Sequence, residues 1–289
     1  MAVHVNSFYH PQSATLSYIV TCTDTLATAI IDPCYDFDAP SGHLSTDFSN
    51  ALIHHIKANN LTLVWLLETH AHADHISSAQ YIKSKLGGKV AIGEGIKEVQ
   101  QIFKTKFNLD DWFNADGSQF DALLTHGQSL KLGNIFIKVV NSPGHTSDSV
   151  SYLIEDNLFV GDTLFMPDAG TARCDFPAGS AATLYHSIQN IYSLPDNTTI
   201  WVCHDYQPNN RELAYKTTVH QQKRSNIHVN ACTTEDEFIE KREKRDSTLA
   251  VPELQTIAIQ LNINAGKLPP QDEQGNYFIK LPLFTPRGE

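Results

Sequence analysis

The sequence predicts a layered α/β fold, in which two β-sheets pack together and helices cover their outer faces. Short apolar segments with strand character are joined by hairpin turns, and segments with helical periodicity alternate with them. Four of the strand segments also end in histidine or aspartate. With 289 residues, 41% of them hydrophobic, the chain is long enough to bury a sizeable core.

The first predicted elements are a hairpin, a helix and a strand. Thr15–Cys22 and Leu26–Ile31 are apolar segments on either side of a polar turn, and the Asp32-Pro33 pair ends the second strand. A helix capping signal follows at Ser45-Thr46-Asp47. The apolar residues after it share one helical face: Phe48, Leu52, Ile53 and Ile56. The next apolar run, at 63–67, predicts a buried strand.

The later elements continue this alternation. Helices are predicted at 76–86, 94–104, 180–192 and 209–224. Strands are predicted at 135–140 and 199–203, with a hairpin of Val150–Ile154 and Leu158–Val160 between them. The charged run Glu235–Asp246 mixes both signs at helical spacing, which predicts a helix with solvated charges.

Composition narrows the functional class. The formal net charge of −11 argues against a nucleic-acid partner, because phosphate binding relies on a basic face. No apolar stretch approaches the roughly 20 residues that span a bilayer, and the start of the chain lacks the pattern of a secretory leader. The cysteines are odd in number and without a CxxC pair, which favours free thiols in a reducing compartment. We therefore expect a cytoplasmic protein that has no membrane partner.

The run Thr69–His75 is the strongest functional signal, because it places three histidines and an aspartate directly after a buried strand. Histidine and aspartate are weak strand and core formers, so metal ligation explains this crowding better than packing does. Alternation places His70 and His72 on one side, whereas Asp74 and His75 are predicted to open the next helix.

Three further strand ends carry residues of the same type: His145, Asp162 and His204. Because catalytic groups gather at one edge of a rigid sheet, these residues are expected to surround one pocket with the first cluster. A structural zinc site in an interaction protein is the alternative from another functional class. It is disfavoured because closed structural zinc sites use four ligands, often with thiolates, whereas this cluster is rich in histidine and carboxylate and has more ligands than such a site needs.

The HxHxDH run with these downstream residues resembles the metallo-β-lactamase superfamily, over roughly residues 13 to 225. The resemblance implies a four-layer αβ/βα sandwich with metal between the sheet edges. It also implies a catalytic domain at 1–230, and a C-terminal extension at 231–289 packed on it. For a dinuclear site it implies two ligand sets, which share Asp162: His70, His72, His145 and Asp162, and Asp74, His75, Asp162 and His204.

The segment Arg173–Gly179 narrows the resemblance. It reads Arg-x-Asp-Phe-x-x-Gly, which is similar to persulfide dioxygenases, whereas glyoxalase II enzymes have an Arg-Phe-Phe-Glu-Gly type of run. The sequence His204-Asp205-Tyr206 and the tail Leu249–Phe284 also resemble the β-lactamase-like hydrolase subgroup of these dioxygenases.

This resemblance implies a mononuclear non-haem iron enzyme, with one Fe(II) held by His70, His145 and Asp162. Its substrates would be glutathione persulfide and O2, and its products sulfite and glutathione, as in sulfide detoxification. Arg173 and Tyr206 would contact glutathione, although a surface ion pair and a half-buried ring are their alternative roles.

A dinuclear zinc hydrolase of a thioester or lactone, similar to glyoxalase II, is the alternative. It would use His72, Asp74, His75 and His204 for a second metal, whereas in the iron enzyme they would surround the iron ligands. Ligand identity leaves metal and nuclearity open. The physiological persulfide, the role of residues 231–289 and the oligomeric state also stay open, with a homodimer as the default.

Overall fold

Two six-stranded sheets form the centre of the structure, a computed structural model that describes residues 3–283. In spatial order, the first sheet contains β1 (Val3–His10), β2 (Thr15–Cys22), β3 (Ala27–Ile31), β6 (Thr62–Leu67), β7 (Lys89–Gly93) and β8 (Ala122–Leu124). The second contains β14 (Lys216–Thr218), β13 (Thr199–Trp201), β12 (Asn157–Phe159), β11 (Val150–Ile154), β10 (Ile135–Asn141) and β9 (Ser129–Leu132). A small ribbon joins β4 (Asp36–Asp38) to β5 (His43–Ser45).

Helices cover both outer faces. They are α1 (Asp47–Ala58), α2 (Ala79–Leu86), α3 (Ile96–Lys106), α4 (Ala181–Tyr192), α5 (Val219–Ser225), α6 (Glu235–Asp246) and α7 (Gln255–Asn262). Strand alternation decides which face of a sheet each side chain joins. Tyr18 and Val20 lie in the core between the sheets, whereas Ile19 joins the core under α1, α2 and α3. The predicted layered α/β sandwich is therefore confirmed.

Most elements predicted from periodicity are present at nearly the predicted bounds. They include the hairpin of β2 and β3, helix α1, strand β6, the hairpin of β11 and β12, and helices α3, α4 and α6. Strand β13 ends at Trp201 rather than at Cys203, and α2 begins at Ala79 rather than at 76. The prediction that Asp74 and His75 open α2 is therefore wrong. Both lie in a turn that precedes the helix.

The single helix predicted at 209–224 is also wrong. The structure has a 3-10 turn at Pro208–Asn210, strand β14 and the short helix α5 instead. Gln207, Asn209 and Asn210 adopt positive φ angles between 46° and 58°, which an α-helix excludes. Helix α5 begins only after Thr218, whose side chain caps it.

Helix α6 differs from the solvated helix that its charges predict. Phe238, Arg242 and Asp246 are buried on one face of it, and the helix packs on α4. Helix α7 follows, and its residue Ile259 joins the core of the first sheet, as does Ile263 after it. The domain division at residue 230 stays a prediction, and residues 284–289 of the predicted extension lie outside the described residues.

Within residues 3–283, no helix combines the length and the apolar character that crossing a membrane requires.

Candidate metal centre

The carboxyl ends of strands from both sheets meet at one rim, where hydrogen bonds join the sheets. The Tyr18 hydroxyl donates to the Val202 carbonyl at 2.6 Å, and the Tyr152 hydroxyl donates to the Glu68 carbonyl at 2.6 Å. The backbone N–H of Val150 donates to the Thr69 carbonyl at 2.9 Å. Parallel pairing of β3 with β6 and of β12 with β13 brings their following loops to this rim. The predicted strand-end residues therefore face one another.

The seven predicted metal-type residues form two adjacent clusters. His70, His145 and Asp162 make one, and the second consists of His72, Asp74, His75 and His204; in each cluster, one ligand atom per residue lies within 4.8 Å of the others. The Asp162 carboxylate touches both clusters. Its Oδ2 lies 3.6 Å from His145 Nε2 and 3.9 Å from His70 Nε2, and its Oδ1 lies 3.3 Å from His204 Nε2.

Hydrogen bonds fix the tautomer of the first two histidines. The Thr69 hydroxyl donates to Asp32 Oδ2 at 2.9 Å, so it accepts from His70 Nδ1 at 3.0 Å. His72 Nε2 donates to Asp32 Oδ1 at 3.0 Å. The lone pairs that remain are on His70 Nε2 and His72 Nδ1, both directed away from these partners. Such outer hydrogen bonds are how proteins orient metal-ligating imidazoles.

The other three histidines are held in the same manner. His145 Nδ1 donates to the Arg173 carbonyl at 2.7 Å. The Thr15 hydroxyl lies 3.2 Å from His75 Nδ1 and 3.4 Å from His204 Nδ1. One ring nitrogen of each histidine is therefore occupied and the other is left for a ligand.

The atoms left over fit a metal. Six buried atoms of these residues have no hydrogen-bond partner among residues 3–283: His70 Nε2, His72 Nδ1, Asp74 Oδ2, His75 Nε2, Asp162 Oδ1 and His204 Nε2. Unpartnered buried polar atoms are costly, so their concentration here requires an explanation. Histidine nitrogens and carboxylate oxygens are donors for both zinc and iron. The donor set thus fits a metal centre without choosing the metal.

The surroundings favour the neutral form of the first two histidines of the run, His70 and His72. Burial lowers the pKa of His70 and that of His72 well below the ordinary value, and the neighbouring histidines add to the shift. Burial acts in the same direction on His204, but the carboxylates of Asp74 and Asp162 outweigh it and raise the pKa of His204. Neutral imidazoles are the form that binds metal.

Three buried acids around the cluster were not identified as site residues from the sequence. Burial raises the pKa of Asp32 to about 6 and that of Glu68 well above its ordinary value. Asp148 accepts a hydrogen bond from the backbone N–H of Ala71 at 2.8 Å. Of the three acids, only Asp32 had a local signal in the sequence. Its position directly before Pro33 indicated the end of a strand, but not a role in the site.

A cavity of about 480 Å³ opens beside the first cluster. Its walls include His145 and Asp162 together with both predicted substrate residues, Arg173 and Tyr206. Its volume lies within the range of about 300–1,000 Å³ that is typical of small-molecule sites. Tyr206 stacks on His204 with ring centroids 5.7 Å apart, and 56% of its surface is exposed. Both residues therefore line the cavity beside the first cluster.

Arg173 lines the cavity while it holds its own loop. Its Nε and one Nη donate to the two carboxylate oxygens of Asp175 at 2.6 Å, and the other Nη donates to the Ala250 carbonyl at 2.6 Å. Asp175 thus orients Arg173. Three of the five guanidinium N–H groups are used in this way, which leaves two for another acceptor. Cys174 between them is buried, which raises the pKa of its thiol to about 12 and disfavours the reactive thiolate form.

Helix α6 clamps the same loop. Arg242 pairs with Asp246 at 2.5 Å and donates to the Thr171 carbonyl at 3.0 Å. Asp246 in turn accepts from the backbone N–H of Cys174 at 2.8 Å. The loop that these bonds hold carries the Arg173 carbonyl, which orients His145. Sequence reasoning missed this clamp because the charges of α6 read as solvated.

The comparisons agree with this geometry. Residues 11–204 match the family model described as the metallo-beta-lactamase superfamily. The chain is 47% identical to a protein of Dictyostelium discoideum named glyoxylase B2, over 96% of each chain. It is 30% identical to a Mus musculus protein named mitochondrial persulfide dioxygenase ETHE1, over 71% of this chain and 69% of that one.

A solved structure of ETHE1 from Myxococcus xanthus superposes with a TM-score of 0.73 at 26% identity, over 91% of this chain and all of that one. The family model covers the HxHxDH run and extends to His204, so it includes both clusters. The sandwich of two sheets, the metal-type clusters at their shared rim and these matches lead to one conclusion. The chain belongs to the metallo-beta-lactamase superfamily, a family of metal-dependent enzymes.

Proposed function

We propose that this enzyme is a mononuclear iron persulfide dioxygenase that acts on glutathione persulfide. The reaction balances as glutathione persulfide + O2 + H2O → glutathione + sulfite + 2 H⁺. The terminal sulfur is oxidised from the formal state 0 to +4, and dioxygen takes up the four electrons. The thiol sulfur of glutathione leaves unchanged.

The observation that carries the proposal is the cluster of His70, His145 and Asp162 beside a cavity that Arg173 lines. Two histidines and one carboxylate are the ligand set of many non-haem iron(II) oxygenases, which leaves positions open for two reactants. When bound, iron supplies the one-electron chemistry that allows dioxygen to react with a sulfur compound. The protein's part is to hold the ligands and to place the persulfide.

The cavity suits a thiol tripeptide that carries carboxylates. Arg173 retains two N–H groups for a carboxylate, and the exposed Arg245 on α6 also lines the cavity. Phe165 and Phe176 give it apolar walls near the cluster, and Phe176 packs against His145 with ring centroids 5.1 Å apart. These cations supply the local positive charge that an anionic substrate needs on a protein of net charge −11.

The names of the relatives point to both candidate reactions, hydrolysis and persulfide oxidation, and the relatives differ in how similar they are to this chain. The mouse protein named persulfide dioxygenase is more distant than the protein named glyoxylase B2. The loop sequence from Arg173 to Gly179, which resembles the dioxygenases, is the reason that we favour oxidation.

A dinuclear zinc hydrolase of a glutathione thioester or a lactone is the second candidate. The cluster of His72, Asp74, His75 and His204 favours it, because a second metal would use the unpartnered atoms of these residues. Asp162, which contacts His204 as well as His145, is placed to serve both metals. In the iron enzyme the same residues would orient bound water or the iron ligands.

One experiment separates the two reactions. The protein is purified without added metal, reconstituted anaerobically with iron(II) or with zinc, and analysed for metal content. Oxygen uptake and sulfite are then measured with glutathione persulfide, and hydrolysis is measured with a glutathione thioester. We expect about one iron per chain and persulfide-dependent oxygen uptake. Two zinc ions per chain with thioester hydrolysis and without oxygen uptake would overturn the proposal.

Two variants sharpen this test. His145→Ala should lose iron and oxygen uptake together, because it removes a ligand of the proposed iron site. His75→Ala should retain about one iron and most of the oxygen uptake, since His75 belongs to the other cluster. The control is His186→Ala, an exposed histidine that pairs with Glu235 away from the cavity. If His75→Ala and His145→Ala lose activity and metal equally, the mononuclear assignment is wrong.

A further inference from the structure

The metal-binding segment lacks the usual backbone partners. Residues 68–78 contain four of the seven ligand-type side chains and, in the described chain, form neither a helix nor a regular strand. Every residue of this segment except Asp74 is buried, and buried N–H and C=O groups require partners. Some find them in the strand ends, as when the Ser78 N–H donates to the Pro33 carbonyl at 2.9 Å. Among the described residues, three further backbone groups of the segment are hydrogen-bonded by one side chain that lies almost 190 residues later in the sequence.

That side chain is Asn262, the last residue of helix α7. Its Nδ2 donates to the carbonyl of His72 at 2.8 Å and to the carbonyl of His75 at 2.7 Å. Its Oδ1 accepts from the N–H of Ser77 at 2.8 Å. All three bonds go to the backbone between His72 and Ser77, and two of them go to the carbonyls of the two histidines. They use both N–H hydrogens and the carbonyl of the amide, so the assignment of its nitrogen and oxygen follows from the network.

The surroundings hold Asn262 in place. It is 4% exposed, and the next residue, Ile263, packs in the core of the first sheet. The carbonyl of Ile263 accepts a hydrogen bond from Gln100 Nε2 at 2.8 Å. Gly266 lies so close that a Cβ there would stand 2.4 Å from the Ser77 carbonyl oxygen. The end of α7 is thus packed closely against the metal-binding segment and held by its own contacts with the core.

We infer that Asn262 is a positioning residue of the metal centre, which fixes His72 and His75 through their own backbone. Only an amide of this length offers two donors and one acceptor at these distances; aspartate has the same shape but no donor. The inference assigns a role to the segment after residue 230, as a part of the metal site. It requires that the cluster of His72, Asp74, His75 and His204 binds the metal used as a probe, but not that this metal takes part in the reaction, so either proposed reaction is compatible with it.

The test compares Asn262→Asp with Asn264→Asp. Asn264 is also buried in the turn after α7, but its amide donates to the Lys267 carbonyl at 3.0 Å and not to the metal-binding segment. Cobalt(II) is titrated into each metal-free protein, and affinity, stoichiometry and the visible ligand-field spectrum are recorded. Circular dichroism of the metal-free protein reports folding separately.

We expect Asn262→Asp to weaken cobalt binding at the cluster of His72, Asp74, His75 and His204 about 10- to 100-fold, the usual loss for groups that orient metal ligands. Its ligand-field bands should shift at saturating cobalt, whereas Asn264→Asp should bind and absorb like the wild type. Unchanged affinity and spectrum in a folded Asn262→Asp protein would overturn the inference. If this variant does not fold, Asn262→Ser is measured under the same criteria. Since enzyme activity is not a readout, a wrong reaction assignment leaves this test unaffected.

Discussion

Removing the buried cation of α6 should destabilise the protein and loosen the loop beside His145. Arg242 has a side chain that is 2% exposed, and it pairs with Asp246, which is 6% exposed. Arg242→Met keeps most of the apolar volume but leaves the Asp246 carboxylate buried without its cation. It also removes the hydrogen bond to the Thr171 carbonyl.

The expected loss follows from these contacts. Breaking a buried ion pair by removing one partner costs about 3–5 kcal/mol of unfolding free energy. Asp246 keeps one hydrogen bond, from the N–H of Cys174 at 2.8 Å, which compensates part of the lost partner. We therefore expect a loss near the lower end, about 3 kcal/mol. Replacing both partners, as in Arg242→Met with Asp246→Leu, should recover at least half of it, because no buried charge then remains.

The assay is urea unfolding of the metal-free protein, followed by circular dichroism and tryptophan fluorescence. Arg245→Met is the matched control, because Arg245 lies on the same helix and is exposed, and its change should stay within about 0.5 kcal/mol. A loss below about 1 kcal/mol for Arg242→Met would refute the reasoning from the buried pair. So would a double variant that is less stable than the single one.

Three further predictions concern other parts of the site. Arg173→Ala should raise the KM for glutathione persulfide at least ten-fold with little change in kcat, and an unchanged KM in oxygen uptake would remove its guanidinium from substrate binding. Burial lowers the pKa of His228 to about 4, so the unfolded chain alone takes up a proton between pH 6.5 and 4. The contribution of neutral His228 to the free energy of unfolding is therefore fully present above pH 6.5, and it falls by up to about 3 kcal/mol towards pH 4. His228→Asn, which keeps an acceptor for the Thr171 N–H, should flatten this dependence in urea titrations, and an equally steep curve would contradict it. Asp32→Ala should weaken cobalt binding about 10- to 100-fold, because Asp32 orients His72 directly and His70 through the Thr69 hydroxyl, and a change below three-fold would show that these contacts are dispensable.

The sequence was sufficient for the elements whose periodicity is local. Both faces of strand β2 are buried, with Tyr18 in one apolar core and Ile19 in the other. Such a strand is a short and mostly apolar run, which the sequence shows directly. The ligand-type residues were also recognisable, since His70, His145 and Asp162 each follow a predicted strand. Their assembly followed from the rule that strand ends share an edge of a sheet.

Features that depend on distant contacts were not accessible in the same way. The sequence wrongly predicts a helix in the loop after Tyr206, because its positive φ angles depend on contacts with the rest of the fold. One such contact is the pairing of Arg211 with Asp168 and Asp205. Nothing near Asn262 in the sequence indicates that its partners lie almost 190 residues earlier. The burial of Arg242 is likewise decided by the surface on which α6 docks.

The contact between Asn262 and the His72 carbonyl spans 190 residues of sequence, which has a consequence for how the protein is made. At about 5–20 residues per second, synthesis of the intervening chain takes on the order of 10 to 40 s. During that time the histidines of the run have been synthesised, while the helix that holds their backbone does not yet exist. Contacts between residues so far apart in sequence also form slowly, because closing a long loop costs entropy before the contact stabilises it. We therefore expect the backbone of His72 and His75 to be fixed only after residue 262 has been synthesised, so that a metal ion that needs both histidines in place binds late.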